Sequence, residues 1–339
     1  MAATIFDIAK ACGTSKTTVS KVLTGNDERI SDAKRIMIHE AMERLNYRPN
    51  SVARALCTKR SNAIGFVTSR VSHMVSRPYY AALLDAVLDE ATVAGQRLTM
   101  YNTHGANSAE MDPLTFSDGH CGGLIVLGVP DAATRIAIKM SNLPCIVVNG
   151  GHPEEATVSI QVDNKQAGYD ATKYLVDLGH TRIAYVHMNG IALSNERLEG
   201  YRLAMRDAGL PVPDDLVFAV DYDPTAAYST AGAIANSPGL GITALFCVTD
   251  EYALSAIQGF RDAGRRVPDE FSVIGIDGVI EGERCFPRLT TLSQSLHELG
   301  KEAVKRLLAS FESTATEPLH VVWPTKLIER GSTSAQRPI

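Results

Sequence analysis

The sequence predicts an all-α helix-turn-helix headpiece followed by an α/β body of doubly wound parallel sheets, and three observations carry that prediction. An apolar-periodic helix pair joined by a glycine turn occupies roughly the first 24 residues. Beyond residue 60, short β-branched runs alternate with helical segments, the pattern of a parallel sheet with crossover helices. The charge is split between these regions. Residues 1–60 hold eleven Lys and Arg against six Asp and Glu, whereas the other 279 residues hold 22 against 32. A basic head on an acidic body suits phosphate neutralisation by one end of the molecule.

Composition excludes several classes of protein. With 339 residues at 45% hydrophobic and 21% charged, the chain has the make-up of an ordinary protein of two or three domains. No apolar run is long enough for a membrane span, and MAATIFDIAK lacks the basic start and apolar stretch of an export signal, so the expected location is the cytoplasm. Cys12, Cys57, Cys121, Cys145, Cys247 and Cys285 are scattered without a CxxC pair, so neither a metal nor a disulfide framework is expected. GxGxxG, GxxxxGK[ST] and GxSxG are all missing, which argues against an enzyme and against a bound cofactor.

In the headpiece, Thr4 precedes the apolar residues Ile5, Ile8 and Ala9 and has Asp7 three positions later, close to a capping box. Cys12-Gly13-Thr14 makes the turn, and Ser15 caps a second helix. There Val19, Val22 and Leu23 face inward while Lys16, Thr17, Ser20 and Lys21 face outward. A third helix starts at Ser31, with Ile38, Ala41, Met42 and Leu45 at helical spacing. Residues 1–46 thus read as a three-helix domain able to place one polar helix face in a major groove.

Residues 47–60 read as a hinge helix and linker. Asn50 after Pro49 caps a helix over Ser51–Cys57, about two turns long and marginal alone in water. Leu56 is either an exposed leucine in a linker or an apolar wedge for the minor groove.

At this point TIFDIAKACGTSKTTVSKVL followed by LNYRPNSVARAL resembles the start of a LacI/GalR-family (lactose-repressor/galactose-repressor type) bacterial transcriptional regulator. The resemblance continues through VDNKQAGYDATKYLVDLGHTRIAYV, SNERLEGYRLAM, VTDEYALSAIQGFRDAGRRVPDEFSVIGIDG, LTTLSQSLHELG and WPTKLIERGST. It implies a periplasmic-binding-protein-like body of two lobes joined by crossing strands. By analogy, lobe one is about 61–161 and 291–322, and lobe two about 162–290 and 323–335. It also implies a homodimer or a tetramer, double-stranded operator DNA as one partner and a small sugar-like effector as the other. The effector would act as inducer, or alternatively as corepressor; a nucleoside or a sugar acid stays open as its identity. The expected DNA-contacting residues are Thr4, Ser15, Lys16, Thr17, Ser20, Lys21, Asn50, Ala53 and Leu56.

Strands are expected at Ala63–Thr68, Arg97–Tyr101, Gly123–Gly128, Cys145–Asn149, Arg182–Val186, Leu216–Val220, Ala244–Val248 and Ser272–Ile276. Helices are expected at Tyr79–Ala94, Asn164–Leu178, Glu196–Ala208 and Tyr252–Ala263, with 102–121 irregular. Ligands of such sheets sit at the carboxyl ends of the strands. The resemblance therefore implies effector contacts from Arg197, in the first turn of its helix, and from Asp250 and Asp277. Asp250 alternatively serves only to cap its helix, and Arg197 alternatively forms an ion pair with Asp277 or Glu196. Tyr79 and Tyr80 either stack on a ligand or start a helix core, and Asn149 can donate or accept. The stretch Ser69–Arg77 is about four residues longer than relatives carry at this place. It brings Arg70, His73 and Arg77 either to the pocket mouth or to solvent.

Overall fold

The structure, a computed structural model, describes residues 3–24, 29–47, 61–68, 74–102, 112–151, 153–311 and 319–336. The chain divides into two compact units, Met1–Asn62 with Asp118–Gly122, and Ala63–Ser117 with Gly123–Ile339. The expected hinge residues Asn50, Ala53 and Leu56, and Arg70 and His73, lie outside the described residues.

The first unit holds α1 (Ile5–Ala11), α2 (Lys16–Thr24) and α3 (Asp32–Arg44). Asp7 accepts from Thr4 N at 2.8 Å and from Thr4 Oγ1 at 2.7 Å, tying down the start of α1. Ser15 Oγ accepts from Thr18 N at 3.1 Å and caps α2. Ile8, Ala9, Cys12, Val19, Val22, Ile38 and Ala41 form the core, while Lys16, Thr17 and Lys21 are exposed and Ser20 is half-buried. Leu45 departs from the expected core. It falls at the C-cap of α3 and is 37% exposed, because the helix ends before a further turn could carry it inward.

The second unit contains strands β1 (Ala63–Thr68), β2 (Arg97–Asn102), β3 (Gly123–Leu127), β4 (Cys145–Val148), β5 (Val158–Val162), β6 (Ile183–Met188), β7 (Val217–Val220), β8 (Ala244–Cys247), β9 (Ser272–Asp277), β10 (Thr290–Ser293), β11 (Leu319–Trp323) and β12 (Lys326–Ile328). Its helices are α4 (Pro78–Val93), α5 (Ala132–Ser141), α6 (Asn164–Asp177), α7 (Ala192–Asp207), α8 (Thr225–Ala235), α9 (Asp250–Asp262), α10 (Glu281–Arg284) and α11 (Leu296–Ser310). One sheet runs β11-β5-β4-β3-β1-β2 and the other β12-β10-β9-β8-β6-β7. Among the described residues every strand pairing is parallel except β10 with β12. Strands β1, β3, β4, β6, β8, β9 and β10 are buried along their whole length, as expected where helices cover both faces.

Each sheet is one lobe, and each reverses strand order once, between β1 and β3 and between β6 and β8. The crevice outside the carboxyl ends at such a switch point is where ligands bind. The chain passes between lobes after β5, after β10 and between β11 and β12. Thr290–Ser293 lies wholly in the second sheet, paired with β9 and β12, so the second crossing comes after Ser293 and not at the 290/291 boundary taken from the sequence. No helix among the described residues is long and apolar enough to cross a membrane.

Candidate effector site

The site is assembled from strand ends. Asn149 follows β4, Met188 ends β6, Thr249 follows β8, Asp277 ends β9, and Gln294 follows β10. From lobe one, Arg77, Tyr79 and Tyr80 enter at the start of α4, with Gly128 and Val129 beyond β3. These residues, with Asn164, Ile191, Leu193, Arg197, Tyr222, Glu251 and Tyr252, line a cavity of about 330 Å³. That volume is in the range of small-molecule sites.

Arg197 is held there by helix packing. Gly168 in α6 and Gly200 in α7 let the two helices touch backbone to backbone. An added Cβ would lie 2.1 Å from Arg197 O at Gly168 and 2.0 Å from Lys165 O at Gly200. One turn before each glycine stand Asn164 and Arg197, and Arg197 Nε donates to Asn164 Oδ1 at 3.0 Å. Arg197 Nη1 also donates to the Val248 carbonyl at the end of the β8 segment. Arg197 is only 2% exposed, yet no carboxylate among the described residues lies within ion-pair distance of it; Glu196 instead accepts from Asn164 Nδ2 at 3.0 Å. Arg197 thus offers fixed, water-shielded donors to whatever occupies the cavity.

Asp277 supplies acceptors. Its backbone has φ 144, a strained conformation of the kind found at functional sites. Its Oδ1 accepts from Gln294 Nε2 at 2.7 Å. Burial drives its carboxyl well above the ordinary range; the nearby Arg197 charge pulls it down and the Asp250 charge pushes it up. Gln294 ties the lobes together here. Its Oε1 accepts from Asn149 Nδ2 at 2.9 Å, and its carbonyl accepts from Trp323 Nε1 at 2.7 Å. Asn149 Nδ2 also donates to Tyr79 Oη at 2.6 Å, and Asn149 Oδ1 accepts from Val162 N at 3.0 Å. Burial raises the Tyr79 phenol, keeping its proton available.

Two expectations are corrected. Asp250 does not line the cavity. Its Oδ2 accepts from Gly278 N at 2.7 Å and Val279 N at 3.0 Å, and its Oδ1 from Thr291 Oγ1 at 2.6 Å, so it fastens the β9–α10 turn and β10. Burial pushes its carboxyl up to about 6 against these hydrogen bonds. It is not the helix cap either, since Thr249 holds that position. Arg197 lies in the second turn of α7, because the helix begins at Ala192. Ser194 is already helical, and its Oγ accepts from Met188 N at 2.9 Å.

The elevated carboxyl of Asp277 has a consequence for stability. A carboxyl whose folded pKa exceeds its unfolded value holds its proton more tightly when folded. It therefore stabilises the fold at low pH and loses that contribution as pH rises through the folded value. Asp277→Asn should remove this dependence. Urea midpoints at pH 5 and pH 7.5 should show the wild type losing more stability over that interval than the variant; parallel losses would contradict the assignment.

A helix-turn-helix head with an exposed polar α2 face, carried on one chain with a two-lobed body enclosing a cavity with a few polar groups, defines a DNA-binding transcriptional regulator. Residues 4–50 match the bacterial regulatory proteins of the lacI family, and residues 172–333 match the periplasmic binding protein-like domain. The HTH-type transcriptional regulator DegA of Bacillus subtilis is 31% identical over 342 residues, covering 98% of this chain and 99% of DegA. The chain belongs to the LacI/GalR family and is a regulator, not an enzyme. Among solved structures, a transcriptional regulator CelR–cellobiose complex aligns with TM-score 0.71 and 26% identity, covering 97% of this chain and 99% of that one. The lac repressor dimer bound to operator and the anti-inducer ONPF aligns with TM-score 0.82 at 23% identity, covering 99% of this chain and 100% of that one, a likeness of fold.

Proposed function

We propose that this regulator is a repressor that binds a palindromic operator as a homodimer in the bacterial cytoplasm and is released by a small neutral sugar or short oligosaccharide in the cavity. The observation that carries this reading is the buried Arg197, with no ion pair to a carboxylate among the described residues, set in one cavity with the Asp277 carboxyl and several tyrosines. A planar donor fork and a carboxyl oxygen acceptor suit vicinal hydroxyls, while Tyr79, Tyr80 and Tyr222 suit the apolar face of a sugar ring. The cellobiose named for the CelR complex is a ligand of that class. Lys16, Thr17, Ser20 and Lys21 on α2 would face the major groove, with Thr4 and Ser15 at the helix starts nearby.

The test is operator affinity by fluorescence anisotropy, on a duplex selected in vitro, with and without each of a panel of neutral sugars. Weaker binding with a sugar supports the proposal; tighter binding would make the ligand a corepressor. The hinge reading gives a second expectation. Leu56→Ala should weaken specific operator binding by about 1.4 kcal/mol or more, roughly tenfold, while sparing binding to random duplex. An unchanged operator affinity would remove the wedge role.

A further inference from the structure

Side chains from both lobes meet at the mouth of the cavity, apart from the polar cluster around Arg197. Arg77, at the N-cap of α4, belongs to lobe one; Glu251, in the first turn of α9, and Tyr222, just beyond β7, belong to lobe two. Arg77 Nε and Nη2 both donate to Glu251 Oε2, at 3.1 and 2.8 Å. The same guanidinium lies over the Tyr222 ring, 4.3 Å from its centroid, and the Tyr222 hydroxyl meets that of Tyr80 at 3.4 Å. Tyr252 Oη donates to the Asp221 carbonyl at 3.0 Å, steadying the backbone next to Tyr222.

These contacts differ from an ordinary surface ion pair in two respects. The Arg77 side chain is 14% exposed and that of Glu251 30%, so solvent screens the pair less than an open one. Arg77 also takes part in the ion pair and the ring contact at once, and Tyr222 in the ring contact and the hydroxyl contact, so loss of either residue loosens all three. Among the described residues the lobes are also joined by three chain crossings, by Gln294 and by Val279, which follows β9 and packs into the core of lobe one. Hinge motion about such crossings is a recurrent soft mode of two-lobed binding proteins, and side chains that join separate lobes at the cavity mouth oppose it.

We infer that Arg77, Glu251, Tyr222 and Tyr80 form a latch that holds the two lobes closed over the cavity through the protein's own side chains. This rests on reading the cavity as the effector site. The latch sets the resting arrangement of the lobes, and a ligand enters only when the Arg77–Glu251 pair opens. Glu251 also occupies the Arg77 guanidinium, so that cation is not offered to an acidic ligand while the latch is shut.

The test is hydrogen–deuterium exchange on the full chain with no sugar and no DNA added. It compares wild type with Arg77→Gln, Glu251→Gln, the double variant, and the charge swap Arg77→Glu with Glu251→Arg. Each single variant should speed exchange several-fold at the mouth segments of both lobes, around 78–84 and around 222–228. The double variant should do no more than either single, and the swap should restore part of the protection, because it rebuilds the ion pair but not the guanidinium contact with the Tyr222 ring. Changes confined to the lobe that carries the substitution, or single effects that simply add, would overturn the latch. Because neither ligand nor operator takes part, failure here is separable from failure of the effector reading.

Discussion

Gly168→Ala is expected to destabilise the second unit by about 3 kcal/mol, a fall of roughly 6–12 °C in Tm, with Gly200→Ala close behind. The new methyl would sit 2.1 Å from Arg197 O in the first variant and 2.0 Å from Lys165 O in the second, in both cases against backbone that cannot swing aside. Helices α6 and α7 would have to separate, and both carry site residues. Separation pulls Arg197 Nε away from Asn164 Oδ1, now 3.0 Å distant, so the variants should lose ligand binding as well as stability. Gly239 has open space around its added Cβ, and Gly239→Ala supplies the control. Thermal unfolding of the three variants checks the order, and equal stabilities would show that the helix contact yields easily.

Arg197→Ala is expected to abolish the ligand response while leaving operator binding intact. Removing a charged donor from a buried site costs about 3 kcal/mol of binding, more than a hundredfold in affinity. The same change leaves Asn164 Oδ1 and the Val248 carbonyl without the donors they now have, so a modest fall in Tm should accompany it. Arg197→Lys should not rescue the response, because a single ammonium cannot hold both acceptors and still present a planar fork to a ligand. A variant that binds sugar normally would remove Arg197 from the site.

How far the sequence led depended on what each element rests on. Strand β1 was located to the residue because its run, AIGFVT, is buried on both faces and needs no partner to be recognised. Strands β5, β10, β11 and β12 carry no such signature. Thr290–Ser293 is polar yet fully buried, β11 is half-exposed at a sheet edge, and such segments become strands through long-range pairing more than through their own preference. Helix α8, TAAYSTAGAIA, carries an alanine-rich pattern with little polar contrast, so no face announces itself.

The site shows the same division. Tyr79, Tyr80, Asn149, Arg197 and Asp277 reach one cavity because each stands at a strand end or near a helix start. Gln294 is not legible as a site residue because it follows β10, a strand with no sequence signature, although it lies in the family-like segment LTTLSQSLHELG. Glu251 does not stand out because an acidic residue in the first turn of a helix is ordinary; its partner Arg77 lies 174 residues away in sequence. Asp250 shares the strand-end location of the true lining residues, but its side chain turns toward the Gly278 and Val279 amides, a direction no spacing rule supplies.

The measurement that most directly tests the coupling of cavity to DNA is an operator titration of wild type and Arg197→Ala, each with and without the neutral sugar that most raises the wild-type Tm. The expected result is a wild-type operator affinity at least tenfold weaker with the sugar, and no change for Arg197→Ala. A sugar that raises the Tm of the wild type but not of the variant, yet leaves wild-type operator affinity unchanged, would show that the cavity binds a ligand without controlling DNA and would contradict the account.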